Sequence, residues 1–215
     1  MEREINKSIY LLALLLAILF FVMGFLISYL FSYHKFQQIA TAQEEIRYQL
    51  LSVDIENKIL ADYICEDTSF YANSNNLDYV GNIIQLLEQK LGKNNQQVIE
   101  QKKLYSLLEY NHILAVDKRN KECSKNTQII MFFYSNKEAQ KRSEDVGYIL
   151  DVLKAKYKDK VMVYSFDYDL DTSFMKLIKE IYKINQAPAV IINQNNVIYE
   201  INNIEDLEKA LDLSQ

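Results

Sequence analysis

The pattern of apolar and polar positions divides the chain into three unlike stretches. From Ser8 to Tyr33 there is no Asp, Glu, Lys or Arg, and Ile9 to Phe31 is nearly unbroken Leu, Ile, Phe, Val and Ala. At about 1.5 Å rise per residue, a helix of that length spans a hydrocarbon core of roughly 30 Å. Residues 1–33 therefore read as a short tail and one transmembrane helix. The rival reading is a cleaved signal peptide, since Ala40-Thr41-Ala42 has the small-residue character of a cleavage site. The apolar run exceeds the usual h-region of about 7 to 15 residues, which favours an uncleaved anchor. Tyr10, Tyr29 and Tyr33 stand near its ends, where amphipathic rings prefer the interface. Arg3 and Lys7 on one flank balance Lys35 and Arg47 on the other, so the positive-inside rule barely discriminates orientation.

Residues 34–126 read as a helical stalk or bundle. No glycine falls between Gly24 and Gly81 and the single proline is Pro188, so the first helix can continue past the apolar run. Ile39, Ile46, Val53 and Leu60 recur every seven residues with Leu50 and Ile64 beside them, interrupted by Gln43 and Asn57. Such a stripe packs on helices of its own chain or, less well supported by the broken second seam, makes a parallel homodimer through the 39–64 helix. Polar Glu66 to Asn76 predicts a loop. A second helix then starts at Asn75 or Asn76, aligns Leu77, Val80, Ile84, Leu87 and Leu91, and stops at Gly92. The third runs from about Gln96 to Lys121 and buries some of Val98, Leu104, Leu107, Leu108, Leu114 and Val116. Short connections make neighbours antiparallel, which brings Cys65 and Cys123 to one end with Cα atoms expected roughly 4.4 to 6.8 Å apart. A disulfide there implies an oxidising compartment; two reduced thiols in a cytosolic domain are the alternative.

After Asn126 the grammar changes. Gln128 to Tyr134 is a continuous apolar run of strand length, as expected for a strand covered on both faces. Val146, Ile149, Leu150, Leu153 and Tyr157 follow at helical spacing, and Val161 to Phe166 gives a second strand. Phe174, Leu177, Ile178 and Ile181 predict a further helix. Ala187-Pro188 then leads into Ala189 to Ile192, Asn193 to Asn196 turns the chain into Val197 to Ile201, and Ile204, Leu207 and Leu211 close with a helix. The fold class is α/β, with a central mixed sheet in residues 127–215.

Strand, helix, strand, helix, proline, hairpin and helix over residues 127–213 resemble the thioredoxin-like fold. The most specific local feature is Gln186-Ala187-Pro188-Ala189-Val190-Ile191-Ile192, which looks like that family's cis-proline loop running into its third strand. Redox members carry Cys-x-x-Cys where the first strand enters the first helix, because the helix N-terminus keeps the attacking thiol as thiolate. Here that junction, Tyr134 to Ser143, holds no sulfur, and Gln140 and Ser143 have the spacing of the missing cysteines. Ser143 has no His or Lys base aligned to it and reads as a helix residue. The resemblance implies a redox-inactive binding face of Ser135, Asn136, Gln140, Ser143, Ala187 and Pro188, with an extended polypeptide as partner.

Composition narrows the classes further. With 215 residues, 49% apolar, 4 Gly and 1 Pro, the chain is neither collagenous nor low-complexity, and 2 Cys exclude a disulfide-dense scaffold. Its net charge of −5 disfavours a nucleic-acid partner. His34 lies at the membrane edge and His112 inside the third helix, so both read as packing or surface residues. Three close carboxylates at Asp167, Asp169 and Asp171 could take a hard cation but lack the Gly and closing Glu of an EF-hand. They read as an acidic loop with Asp171 or Thr172 capping the next helix, so no metal or cofactor is expected. Lys137, Lys141 and Arg142 form a small basic patch that reads as solvated surface. Three functions compete: an extracytoplasmic binding or scaffolding module anchored in the cell membrane with its N-terminus inside; a thiol-disulfide oxidoreductase or isomerase using Cys65 and Cys123; and a structural coiled-coil tether. Because no second apolar run long enough to span follows Tyr33, deletion of residues 1–33 should yield a folded protein that stays in solution after ultracentrifugation without detergent. Continued dependence on detergent would count against a single anchor.

Overall fold

The computed structural model describes residues 7–60, 64–137 and 140–213. The side chains at 7, 34, 35, 38, 39, 42, 50, 54, 57, 59, 60, 67–73 and 140 lie outside the described set, and with them His34, Gln140, Asn57 and the stripe members Ile39, Leu50 and Leu60. The chain divides into two compact units, 1–45 and 46–215. The first helix, α1 (Lys7–Leu60), contains Ser8–Tyr33, which is long and apolar enough to cross a membrane. No part of that segment is buried by protein; Phe20, Phe21 and Phe25 are each about 70% exposed. Near its polar end Thr41 Oγ1 donates to the Gln37 carbonyl at 2.9 Å, closing a hydroxyl back onto the preceding turn.

In the second unit Ile46 and Val53 are fully buried, so this part of the seven-residue stripe is used within the chain. α2 (Asp67–Leu91) corrects the expected loop over Glu66–Asn76: the helix begins at Asp67, with Glu66 in extended conformation before it. That stretch is polar but contains no Gly or Pro, and polarity alone does not break a helix. Asn76, expected at a cap, instead lies inside α2, where its Nδ2 reaches Glu56 Oε1 of α1 at 3.5 Å. Gly92 ends α2 at φ 92°, and its N–H donates to the Glu88 carbonyl at 2.8 Å.

α3 (Gln96–Glu122) starts where Asn95 Oδ1 accepts from the Gln97 N–H at 2.9 Å. Its core differs from expectation. Val98, Leu108, Ile113 and Val116 are buried, but Leu107 and Leu114 are about half exposed, while Gln101, Lys102, Ser106, Glu109, His112 and Arg119 are buried. α3 packs on α2 and on two strands, so more of its circumference is enclosed than one apolar stripe covers. Cys123 follows it and is bonded to Cys65, with Cα atoms 5.4 Å apart.

The sheet has four strands in the order β2-β1-β3-β4. β1 (Gln128–Tyr134) is parallel to β2 (Val161–Asp167) and antiparallel to β3 (Ala189–Ile192), which pairs antiparallel with β4 (Asn196–Ile198). α4 (Gln140–Tyr157), α5 (Ser173–Ile181) and α6 (Ile204–Ala210) complete the domain. Ile130 and Phe132 face Val146, Leu150 and Leu153 of α4 and Leu207 of α6. The alternate residues Ile129, Met131 and Phe133 are equally buried on the opposite face, where Phe133 stacks on Phe166 at 5.2 Å. Two buried faces explain why β1 is an unbroken apolar run rather than an alternating one. The hairpin is shorter than the expected Val197–Ile201 strand: Tyr199 leaves the ladder so that its hydroxyl meets Asn185 and Lys183 backbone, and Ile201 turns into the core.

Thr172 caps α5, its Oγ1 accepting from the Met175 N–H at 3.0 Å. Asn203 and Asp206 cap α6 reciprocally. The disulfide joins positions 58 apart in sequence. Removing that constraint frees the unfolded chain, so Cys123→Ala should cost about 4 kcal/mol by loop-closure entropy. Urea unfolding of residues 34–215 measures it; a midpoint equal to wild type would show that the bridge contributes nothing.

Candidate functional site

β1 delivers the chain into the Ser135-Asn136-Lys137 junction, and β2 delivers Asp167 to the same end of the sheet, because Tyr134 and Asp167 are register partners. The two loops are tied together by side chains. Ser135 Oγ donates to Asp169 Oδ2 at 2.8 Å, and the Asn136 N–H donates to the same oxygen at 3.2 Å. Asn136 Nδ2 donates to Asp167 Oδ2 at 3.1 Å, and the Asp169 N–H donates to Asp167 Oδ1 at 3.0 Å. From α4, Ser143 Oγ accepts from the Ser135 N–H at 3.0 Å. Ser143 is buried, and its oxygen satisfies the first backbone N–H after β1.

Ala187-Pro188 stands at the same end. Ala189 pairs with Phe133, so continuing the antiparallel ladder sets Pro188 level with Tyr134. The bond between Ala187 and Pro188 is cis. Pro188, Ser135 and Ser143 are buried, whereas Asn136 and Ala187 are half-buried and Gln186 and Lys137 are exposed. A cavity of about 250 Å³ opens on the β2 side of the junction, lined by Tyr134, Ser135, Asn136, Ser143, Glu144 and Val163 among others and by none of residues 187–189. The cysteines lie elsewhere: Cys123 precedes β1 and the junction follows it, and a strand of seven residues separates its ends by roughly 20 Å.

The acidic run at the end of β2 is thus divided by role. Asp167 and Asp169 accept from the junction, while Asp171 points out and pairs with Lys176 at 2.6 Å, which lowers its pKa. Among the described residues no three His, Cys, Asp or Glu side chains are placed to hold a metal ion. In the basic patch, Arg142 donates to Asn202 Oδ1 at 3.2 Å, and Lys141 is exposed.

Lys102 is the residue that sequence reasoning missed. It is only 4% exposed, and its Nζ lies 2.5 Å from Glu88 Oε1, 3.0 Å from Asp167 Oδ2 and 5.6 Å from the Tyr134 ring centre. A buried ammonium needs this degree of compensation, since desolvating each ion costs several kcal/mol. Burial, then the charge of Asp167, pushes the Tyr134 hydroxyl well above its ordinary pKa. A signal was present: Lys102 and Glu109 fall at helical spacing with Val98, Ile113 and Val116, where an apolar stripe calls for apolar side chains.

His112 joins three elements. Its Nδ1 is 2.7 Å from the Tyr164 hydroxyl of β2 and its Nε2 is 3.0 Å from Ser74 Oγ of α2. Burial lowers its pKa to about 4, so it is neutral in the fold.

Comparison with protein-family models finds no match, and no curated protein matches the chain.

The His112 shift has a definite sign. The unfolded state takes up a proton near pH 6.5 and the folded state only near pH 4, so this contribution to stability is complete above pH 6.5 and falls away as the pH drops towards 4. Over that window it amounts to roughly 3 kcal/mol. His112→Gln should flatten the stability loss between pH 6.5 and 4.5 in urea titrations of residues 34–215. Parallel pH profiles for the two proteins would show that His112 does not contribute.

Proposed function

We propose that this chain is a single-pass membrane protein displaying a redox-inactive thioredoxin-like domain, residues 127–213, that binds an extended polypeptide outside the membrane. The sheet order carries the reading: β2-β1-β3-β4, with β1 parallel to β2 and antiparallel to β3, generated by strand, helix, strand, helix, hairpin and helix. A mixed sheet built from that order of elements is compatible with the resemblance in residues 127–213, and fold analogy is the warrant for the function drawn from it. The register supports it by bringing 187–189 and 135–137 to one end of the sheet.

Chemistry at that end favours binding over exchange. Thiol-disulfide exchange needs a thiolate, and the junction offers Ser135, Asn136 and Ser143, each with hydrogen bonds inside the domain. Backbone groups beside Pro188 remain as a feature that an extended peptide can use, with the 250 Å³ cavity on the β2 side of the same junction. Ser8–Tyr33 serves as the anchor in this reading, and the Cys65–Cys123 bond favours an oxidising compartment for the part that follows it. The oxidoreductase reading draws on one observation, that Cys65 is an exposed residue, since exchange requires access of an attacking thiolate to a disulfide.

Two measurements separate these readings. Insulin reduction by the full chain should stay at the blank rate, and activity that disappears in Cys65→Ser would establish the oxidoreductase instead. Titrating isotope-labelled residues 34–215 with a panel of extended peptides should move amide resonances at 135–143 and 187–189. Shifts confined to other surfaces, or none with any peptide, would overturn the binding face.

A further inference from the structure

A second cavity, of about 350 Å³, lies between α2, α3 and α4 beside the edge strand β2; it adjoins the first, sharing Glu88, Tyr134, Asp151, Val163 and Ser165 with it. Its volume falls at the lower end of the range for small-ligand pockets. The lining is strongly one-signed: Asp78, Glu88, Glu109, Asp151 and Asp167 stand against Lys102 and Lys154. Both cations are already engaged, Lys102 by Glu88 and Asp167, and Lys154 by Asp78 at 3.0 Å. Glu109 and Asp151 are left over.

Glu109 is the informative one. It is 3% exposed, and its Oε1 accepts from the Ser165 N–H at 2.8 Å, satisfying a donor on the free edge of β2. Its Oε2 is buried with no hydrogen-bond partner among the described residues. A buried carboxylate oxygen without a donor is an unsatisfied site of the kind folded proteins rarely keep without a use. Asp151, one turn of α4 before Lys154, is exposed on the same cavity and has neither ion pair nor hydrogen bond among the described residues. The Tyr105 hydroxyl fits against α2 because position 81 is Gly; a Cβ there would stand 2.7 Å from it. Tyr105 thereby brings a half-buried aromatic ring to the wall, a surface that favours cations.

We propose that this cavity binds an alkylammonium or guanidinium group, whose N–H donors engage Glu109 Oε2 and Asp151. An organic cation fits better than a metal ion, because no three potential ligands converge among the described residues, whereas a chain of several atoms can reach two separated carboxylates. The group comes either from a free solute of the diamine or agmatine type or from a Lys or Arg side chain of a peptide. Burial pushes the Glu109 carboxyl well above its ordinary pKa, opposed by the Ser165 N–H and the charge of Lys154 and reinforced by Asp78; Tyr105, Tyr134 and Tyr164 are the other titratable groups that sense it. Binding a cation and ionising Glu109 favour each other, so affinity rises with pH through the raised pKa of this carboxyl.

The test is isothermal titration of the full chain in a neutral detergent, with agmatine, 1,4-diaminobutane and the peptide Ala-Arg-Ala as probes, at matched ionic strength. Saturable one-to-one binding is expected, with a heat that varies with the ionisation enthalpy of the buffer. Glu109→Gln keeps an oxygen for the Ser165 N–H and should weaken binding roughly tenfold or more. Asp151→Asn should weaken it by about two- to fivefold, as for an exposed pair, and Asp145→Asn on the same helix should leave it unchanged. Agmatine binding without peptide binding assigns a free solute, and peptide binding at least as tight assigns a side chain. Circular dichroism and the thermal midpoint establish that each variant is folded. No saturable binding of any probe to folded wild type, equal binding by Glu109→Gln, or binding of divalent metal ions alone would overturn the proposal.

Discussion

The buried ammonium of Lys102 is the interaction on which the arrangement of the second unit depends. It sits on α3 and pairs with Glu88 near the end of α2 and with Asp167 at the end of β2, fixing three elements to one point. Asp167 shares the same Oδ2 with Asn136 Nδ2, so the ion cluster extends into the β1–α4 junction. Such a cluster is a demanding device, because the mutual attraction of the ions only offsets their desolvation when every partner is in place. Its consequence here is positional: helices that precede the sheet in sequence are locked to the end of the sheet where the candidate site lies.

A second set of polar contacts works along α3. Glu109 satisfies an N–H on the edge strand and His112 links Ser74 to Tyr164, so hydrogen bonds add to the burial of Val98, Leu108, Ile113 and Val116 in docking α3. The Glu109 contact also occupies a backbone donor of an edge strand, the kind of group that otherwise invites pairing between chains. The Cys65–Cys123 bond constrains the same helical region from its other end. Polar contacts at one end and a covalent bond at the other hold α2 and α3 against the sheet, and the apolar core between β1, α4 and α6 forms around local and strand-pairing contacts.

The two candidate surfaces have different characters. The junction at 135–137 and 187–189 is built from backbone and small side chains whose hydrogen bonds are mostly satisfied within the domain. The cavity beside β2 instead carries excess negative charge and an unsatisfied oxygen. One suits recognition of a chain by shape and main-chain pairing; the other suits recognition of charge.

Most of the architecture was legible in local patterning. The charge-free run to Tyr33, the period of the helices, the apolar strands and the Asn-rich turn depend on near neighbours, and their elements stand close to where the pattern put them. The pairing of Cys65 with Cys123 followed from short connections. Three things were decided only by tertiary structure. The start of α2 at Asp67 is invisible to polarity, because a polar stretch without Gly or Pro is equally compatible with a loop and with a solvated helix. The hairpin was cut short when Tyr199 found backbone partners at 183 and 185 instead of a ladder. Lys102, Glu109 and His112 look like ordinary surface residues until α2, β1 and β2 close around them, and a charge is buried only where distant partners such as Glu88 and Asp167 arrive to compensate it. Sequence spacing determines which face of a helix a residue occupies, but only the assembled fold determines what stands opposite that face.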